Sequence, residues 1–366
     1  MKLHLPITLL TAVLATFIAL PAHAVEAPEG YTTTYLNSPG TLENYSTLTS
    51  SERIAFILED SQEITPTGAD YWTSSTPLIS GGNVFFGSES SDSPDALSFK
   101  DSNGSAFYGQ GALTFDTLSN LTFSTITDNE AAIRVVNGTL TITNVNDGQS
   151  DTVDVLFKDI ENTSSTPTYG GAIHADIGDV TISHNGDVSF SGNSSYYYDA
   201  YYSYSYYASH GGAIYAGGDV TISNNGNVSF SGNSSSSDYY SYGGAIYAST
   251  VTISHNGDVS FSGNSSSCYY VSYGGAIYAS TVTISHNGDV SFSGNSSPTS
   301  RTSYGGAIYA YDGDVTISHN GDVSFSGNSS SSYSPYSSGT SSGGAICANY
   351  GDVTISNNSD VSFSGN

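Results

Sequence analysis

The sequence predicts an all-β fold, a right-handed parallel β-helix, and three observations carry that prediction. First, the stretch Gly243–Asn264, GGAIYASTVTISHNGDVSFSGN, returns almost letter for letter at Gly274–Asn295, and looser copies occupy 170–193, 211–233, 305–328 and 343–366. Second, each copy opens with GGAI, closes with FSGN and runs 22 to 24 residues, too short to bury its own apolar face, so neighbouring copies must cover it, as in solenoids. Third, apolar and polar residues alternate within each copy, the period-2 pattern of a half-buried strand.

One copy shows the reasoning. In Gly274–Asn295 the apolar runs are Ala276–Ala279, Val282–Ser285 and Asp289–Phe292. Val282, Ile284, Val290 and Phe292 are expected to face inward, with Thr283, Ser285 and Ser291 outward. His286-Asn287-Gly288 separates the last two runs, and its Asn-Gly pair offers positive φ at a tight corner. Gly274-Gly275 supplies a second corner, where the backbone turns sharply or approaches a neighbour closely. The expected architecture is three short strands per coil and about nine coils, a rod of roughly 45 Å at ~4.8 Å per stacked strand. Stacking places Phe190, Phe230, Phe261, Phe292, Phe325 and Phe363 in one internal column. Asn193, Asn233, Asn264, Asn295, Asn328 and Asn366 form a second, whose amides can bond along the axis.

The segments between copies, 9 to 17 residues long, all leave from the FSGN–GGAI junction. They read as loops along one edge of the rod. The longest holds Tyr196, Tyr197, Tyr198, Tyr201, Tyr202, Tyr204, Tyr206 and Tyr207; Tyr239, Tyr240, Tyr269 and Tyr270 continue the theme, among others. Tyrosine among serine and glycine is the composition of binding loops, giving large amphipathic contact area at low entropy cost.

Taken in order, residues 1–24 read as a secretory signal: Lys2, an apolar run from Leu9 to Leu20, then Ala22-His23-Ala24 as a cleavage site. Residues 25–78 show no repeat and are expected to cap the first coil or form a leader. From 79 to 169 the repeat is present but degenerate, and from 170 to 366 it is regular. The chain ends on its closing motif, which leaves an open strand edge and exposed apolar side chains through which copies can associate. No membrane-spanning segment is expected after the signal.

Six Lys and Arg against 33 Asp and Glu give a formal net charge of −27. A cationic nucleic-acid groove is excluded on that balance, and anionic bilayers are poor partners. Two cysteines, Cys268 and Cys347, are too few for a disulfide scaffold.

GGAI and FxxN tetrapeptides in six ordered pairs behind a signal peptide resemble the chlamydial polymorphic membrane proteins (Pmp family), and within them the G-type branch. The resemblance covers about Gly81 to Asn366. It implies an autotransporter passenger with a β-helix, followed in the family by a middle domain and an outer-membrane barrel. No series of barrel strands follows the repeats here, so the chain reads as a passenger portion or a product truncated before those domains. The resemblance further implies a surface-exposed or secreted adhesin at the outer membrane, with a host-cell surface protein or glycan as partner. An antigenically variable surface protein without a defined receptor is the alternative, and a carbohydrate-active β-helix enzyme a more distant one.

Other candidate chemistry is weighed against simpler roles. His184, His255, His286 and His319 share one position, where neighbouring imidazoles can share a metal; Asn224 and Asn357 fill it elsewhere, the interchange a turn tolerates. Asp187, Asp258, Asp289, Asp322 and Asp360 form a carboxylate column that calcium can favour but that exposed turns also explain. Acids recurring with the repeat, and a single basic residue in the regular region, Arg301, do not make the non-repeating cluster that glycan cleavage needs. The expectation is no catalytic site, metal or cofactor.

Overall fold

The computed structural model describes residues 27–36, 52–59, 61–64, 79–89, 94–102, 104–128, 131–148, 152–164, 167–197, 208–333 and 339–366. The signal segment, Trp72 and Tyr198, Tyr201, Tyr202, Tyr204, Tyr206 and Tyr207 lie outside them. Strands are stacked in parallel and in register from coil to coil, forming a β-helix of three long sheets. Val282–Ile284, for instance, pairs back to Val251–Ile253 and forward to Val315–Ile317, like residue on like.

Repeat periodicity gives the core directly. Val282, Ile284, Val290 and Phe292 are fully buried, as are their equivalents up to Phe325. The phenylalanines form a continuous ladder: ring centroids from Phe123 to Phe363 lie 4.8–4.9 Å apart and nearly parallel. At the end of the stack Phe363 keeps its contact with Phe325 but is 51% exposed. With Val353 and Ile355 it lines an open apolar mouth that also contains Asn366.

The asparagine column forms as expected. Asn264 donates through Nδ2 to Asn295 Oδ1 at 2.9 Å and to the Phe230 carbonyl at 2.9 Å. Its Oδ1 accepts from the Asn233 backbone N–H and Nδ2–H, both at 3.0 Å. A second ladder of the same kind passes through Asn185, Asn225, Asn256, Asn287, Asn320 and Asn358. Sequence reasoning placed Asn287 at the positive-φ position of its turn. The left-handed residue is instead His286 (φ 58°), and its equivalents are His184, Asn224, His255, His319 and Asn357. Histidine and asparagine are among the residues that tolerate this conformation, which accounts for their interchange. Each turn thereby directs the next residue, always asparagine, into the interior.

The GGAI corner needs both glycines. Gly274 adopts φ 61°, whereas a Cβ on Gly275 would sit 2.0 Å from the Gly306 carbonyl oxygen of the next coil.

Two expectations are corrected. Regular coils carry four or five strands rather than three, because the segments between repeats are themselves strands; the count is four where the last two merge, as in Ile246–Ser254 and Ile277–Ser285. In one five-stranded coil these are Val290–Ser293, Ser296–Thr299, Thr302–Tyr304, Ile308–Ala310 and Val315–Ser318. The parallel pairing also begins before residue 79: Thr32–Leu36 pairs with Arg53–Leu58, which pairs with Asn83–Ser88. The expected cap therefore includes strands already in register with the rod. A small outer cluster of Ala55, Ile57 and Phe85, packed against Ala27 and Tyr31, covers the face of these first rungs.

The added strands enclose a narrow lobe filled with serine. Ser195, Ser209, Ser235, Ser241, Ser266 and Ser272 are fully buried, and their hydroxyls form a zigzag chain with Oγ–Oγ distances of 2.8–3.1 Å. Ser297, Ser303 and Ser330 make a further run, with both links at 2.9 Å. Each cross-section thus has a wide apolar lobe and a narrow hydroxyl-lined one.

Candidate interaction surface

The segments between repeats pass outward along one serine strand, turn at a tip and return along the other. Where the tyrosines fall along this path decides what they do. Tyr239 lies at a tip and stacks on Tyr270 of the next coil at 5.3 Å. Arg301 of the following coil sits over the Tyr270 ring at 4.4 Å. Tyr269, beside Tyr270, is 57% exposed, and Tyr240 is half-buried. Tyr196 is 38% exposed, but Tyr197 is 1% exposed: its side chain alternates inward along Ser194–Tyr197, so it packs the narrow lobe and offers no contact surface. Of the expected contact residues that are described, Tyr196, Tyr239, Tyr240, Tyr269 and Tyr270 thus reach the surface at least in part.

A larger aromatic feature was not singled out from the sequence. The tyrosine of each GGAIY motif and the tyrosine just before each GG meet across the glycine corner in two interlocked columns. Tyr215, Tyr247, Tyr278 and Tyr309 form one, with centroids 4.9–5.5 Å apart and near-parallel rings. Tyr242, Tyr273 and Tyr304 form the other, at 5.1–5.3 Å. The two contact each other edge to face, as Tyr242 does with Tyr278 at 5.0 Å, the geometry aromatic quadrupoles favour. Ring faces are largely covered by neighbours, so the ladder presents mainly edges and hydroxyls. Burial raises the phenol pKa of Tyr215, Tyr242, Tyr247 and Tyr278, and pushes Tyr273 up to about 12. Recurrence of both tyrosines at fixed distances from GG was the signal available in the sequence.

Towards the N-terminus the same columns change chemistry. His210 takes the register position of Tyr242, and His174 that of Tyr215. Tyr169 stacks on both histidines, at 4.9 Å and 5.1 Å. His174 Nε2 donates to Asp176 Oδ1, and Arg134 donates to both carboxylate oxygens, at 3.3 and 3.1 Å. Burial favours a neutral Asp176, but the bonds from His174 and Arg134 outweigh it and hold the carboxyl below its ordinary range. Burial lowers His174 and takes His210 down to about 4.

The other predicted columns have structural roles. The Asp258 carboxylate accepts the Asp289 backbone N–H at 2.8 Å, and Asp289 accepts that of Asp322 at 2.8 Å, so each caps the amide of the next coil. His255, His286 and His319 stack at 4.8–4.9 Å on the exposed side of the turn. Among the described residues, no group of three or more His, Cys, Asp or Glu is placed to hold a metal ion. Cys268 and Cys347 are free thiols on separate coils, and burial pushes Cys268 up to about 11.

The Chlamydia polymorphic membrane protein repeat matches residues 187–217, 227–249, 258–280, 289–311 and 322–349. No curated protein and no solved structure matches the chain. The five matches each begin at or near the Asp/Asn turn and end just past the GGAI corner, so one family repeat spans the FxxN strand, the serine lobe and the tyrosine ladder of a single coil. The five stacked units between residues 187 and 349 are thus repeats of the chlamydial polymorphic membrane protein type.

Proposed function

We propose that this rod is the passenger of a bacterial surface adhesin and touches host cells along the tip edge of its serine lobe. Repeats of this type imply a surface-exposed autotransporter passenger at the outer membrane. The observation that supports the finer reading is the stacked row of tip side chains Tyr239, Tyr269, Tyr270 and Arg301 on consecutive coils. Such a row offers several equivalent weak contacts on a rigid support, and affinity then comes from multivalency. Because the tips continue strands of the rod, their order is already fixed before contact, which lowers the entropy cost of binding.

Deleting a whole segment between repeats removes two strands and part of the serine chain, so point changes at the tips are the cleaner test. The mature chain should bind epithelial cells saturably, and Tyr239→Ser with Tyr269→Ser and Tyr270→Ser should weaken binding at least about tenfold, the loss of one or two aromatic anchors. Saturable binding unchanged by the triple substitution removes the tip edge from the proposal. Absence of binding by a folded chain favours the alternative, an antigenically variable surface protein.

A further inference from the structure

We propose that the tyrosine ladder is an oxidative cross-linking site, at which hydrogen peroxide and a haem peroxidase join neighbouring coils through dityrosine bonds. The inference goes beyond the adhesin reading and does not depend on it.

Placement is the first argument. Tyr247 and Tyr278 are paired residues of adjacent parallel strands, as are Tyr242 and Tyr273. Their rings lie 4.9 Å apart at 8° and 5.1 Å apart at 3°. Each pair is therefore held ring to ring about 5 Å apart, on backbones paired in one sheet. Holding two reacting groups in this way replaces a bimolecular encounter with an intramolecular one.

The second argument is the lack of competing sinks. The chain has 29 tyrosines but one Trp, two Cys and one Met. The methionine is residue 1, ahead of the expected signal cleavage site. Both cysteines are partly covered, and burial raises their thiol pKa, which disfavours the thiolate. Oxidising equivalents reaching the rod therefore meet chiefly phenols. Interlocking of the two columns, with Tyr242 in edge contact with Tyr278, also puts every ladder ring next to another that can take up the radical.

The step balances. Two tyrosines each lose one electron and the phenolic proton to give two tyrosyl radicals. These join through ring carbons ortho to oxygen, and the ortho hydrogens move to the oxygens as the rings regain aromaticity. The net change is loss of two protons and two electrons, which reduce one hydrogen peroxide to two waters. The new bond ties residues 31 apart in sequence and closes a loop of the unfolded chain.

The test treats the dilute mature chain with hydrogen peroxide and a haem peroxidase, then reads dityrosine fluorescence and maps cross-linked peptides by mass spectrometry. Peptides joining Tyr247 to Tyr278 and Tyr242 to Tyr273 within one chain are expected, with a raised thermal midpoint. Tyr247→Phe with Tyr278→Phe should delete the first peptide and leave the second. Cross-links confined to exposed residues such as Tyr333 and Tyr350, cross-links only between chains, or oxidation without ring coupling would each overturn the proposal. Mapping on the unaltered chain decides the matter even if the double variant fails to fold.

Discussion

The two lobes of each coil solve the same problem with opposite chemistry. In the wide lobe, valine, isoleucine and phenylalanine stack on their own copies, and removal of apolar surface from water holds the coils together. In the narrow lobe, two strands lie close together with mostly serine between them, and cohesion comes from hydroxyls bonded to hydroxyls and carbonyls. Both ladders are continuous over several coils. The difference is how far each tolerates error. A truncated phenylalanine leaves a void that the stiff stack cannot close, whereas a lost hydroxyl leaves a neighbour short of one modest bond. The aromatic corner lies on the seam between them and borrows from both: half-buried ring stacks with polar edges.

The comparison can be broken most severely in the wide lobe. Phe261→Ala should cost about 3–5 kcal/mol in denaturant titration, the range for buried phenylalanine truncations, while Phe363→Ala, at the open end, should cost far less. Equal losses would mean that the ladder does not carry the wide lobe. At the seam, His210 is held neutral by burial, with Tyr169, Tyr215, Tyr242 and Tyr247 around its ring and His174 close by. Its pKa is lower in the fold than the ordinary 6.5, so its contribution is full above about pH 6.5 and is lost as pH falls towards about 4, by at most about 3 kcal/mol. His210→Tyr, which restores the residue found at this register in the next coil, should flatten stability between pH 7 and 4.5; an unchanged slope would assign the acid sensitivity elsewhere. The smallest effect belongs to the narrow lobe. Ser272→Ala should cost about 1 kcal/mol, the net value of an ordinary hydrogen bond, and a loss as large as that of Phe261→Ala would show the serine chain to be as critical as the apolar core.

Most of the wide lobe was legible in the sequence, because Val282, Ile284, Val290 and Phe292 alternate with polar residues and recur in every copy. The narrow lobe was not. Ser265-Ser266-Ser267-Cys268 has no apolar alternation, and a serine-rich run with tyrosines at its end resembles a loop by composition. Only the fixed positions of Ser266 and Ser272 relative to FSGN and GGAI carried the information. The second asparagine ladder was hidden for another reason: Asn287-Gly288 is a familiar turn pair, and only the backbone shows that His286 takes the left-handed conformation while Asn287 turns inward. Among the contact residues, inward alternation of Tyr197 was concealed because a tyrosine-rich segment gives no period from which to judge its facing.

The asparagine ladders also bear on how such a protein changes length. Inside the stack each ladder amide donates to the coil that follows and to a carbonyl of a preceding coil, so these coils present the same upper and lower faces. A whole unit inserted or lost between any two coils rejoins identical partners, whereas a fraction of a unit breaks both ladders at once. Nearly identical copies at Gly243–Asn264 and Gly274–Asn295 fit growth by duplication of complete coils. Rod length is then a heritable quantity that varies in steps of ~4.8 Å, each step adding one tip to the row while every existing contact stays as it was.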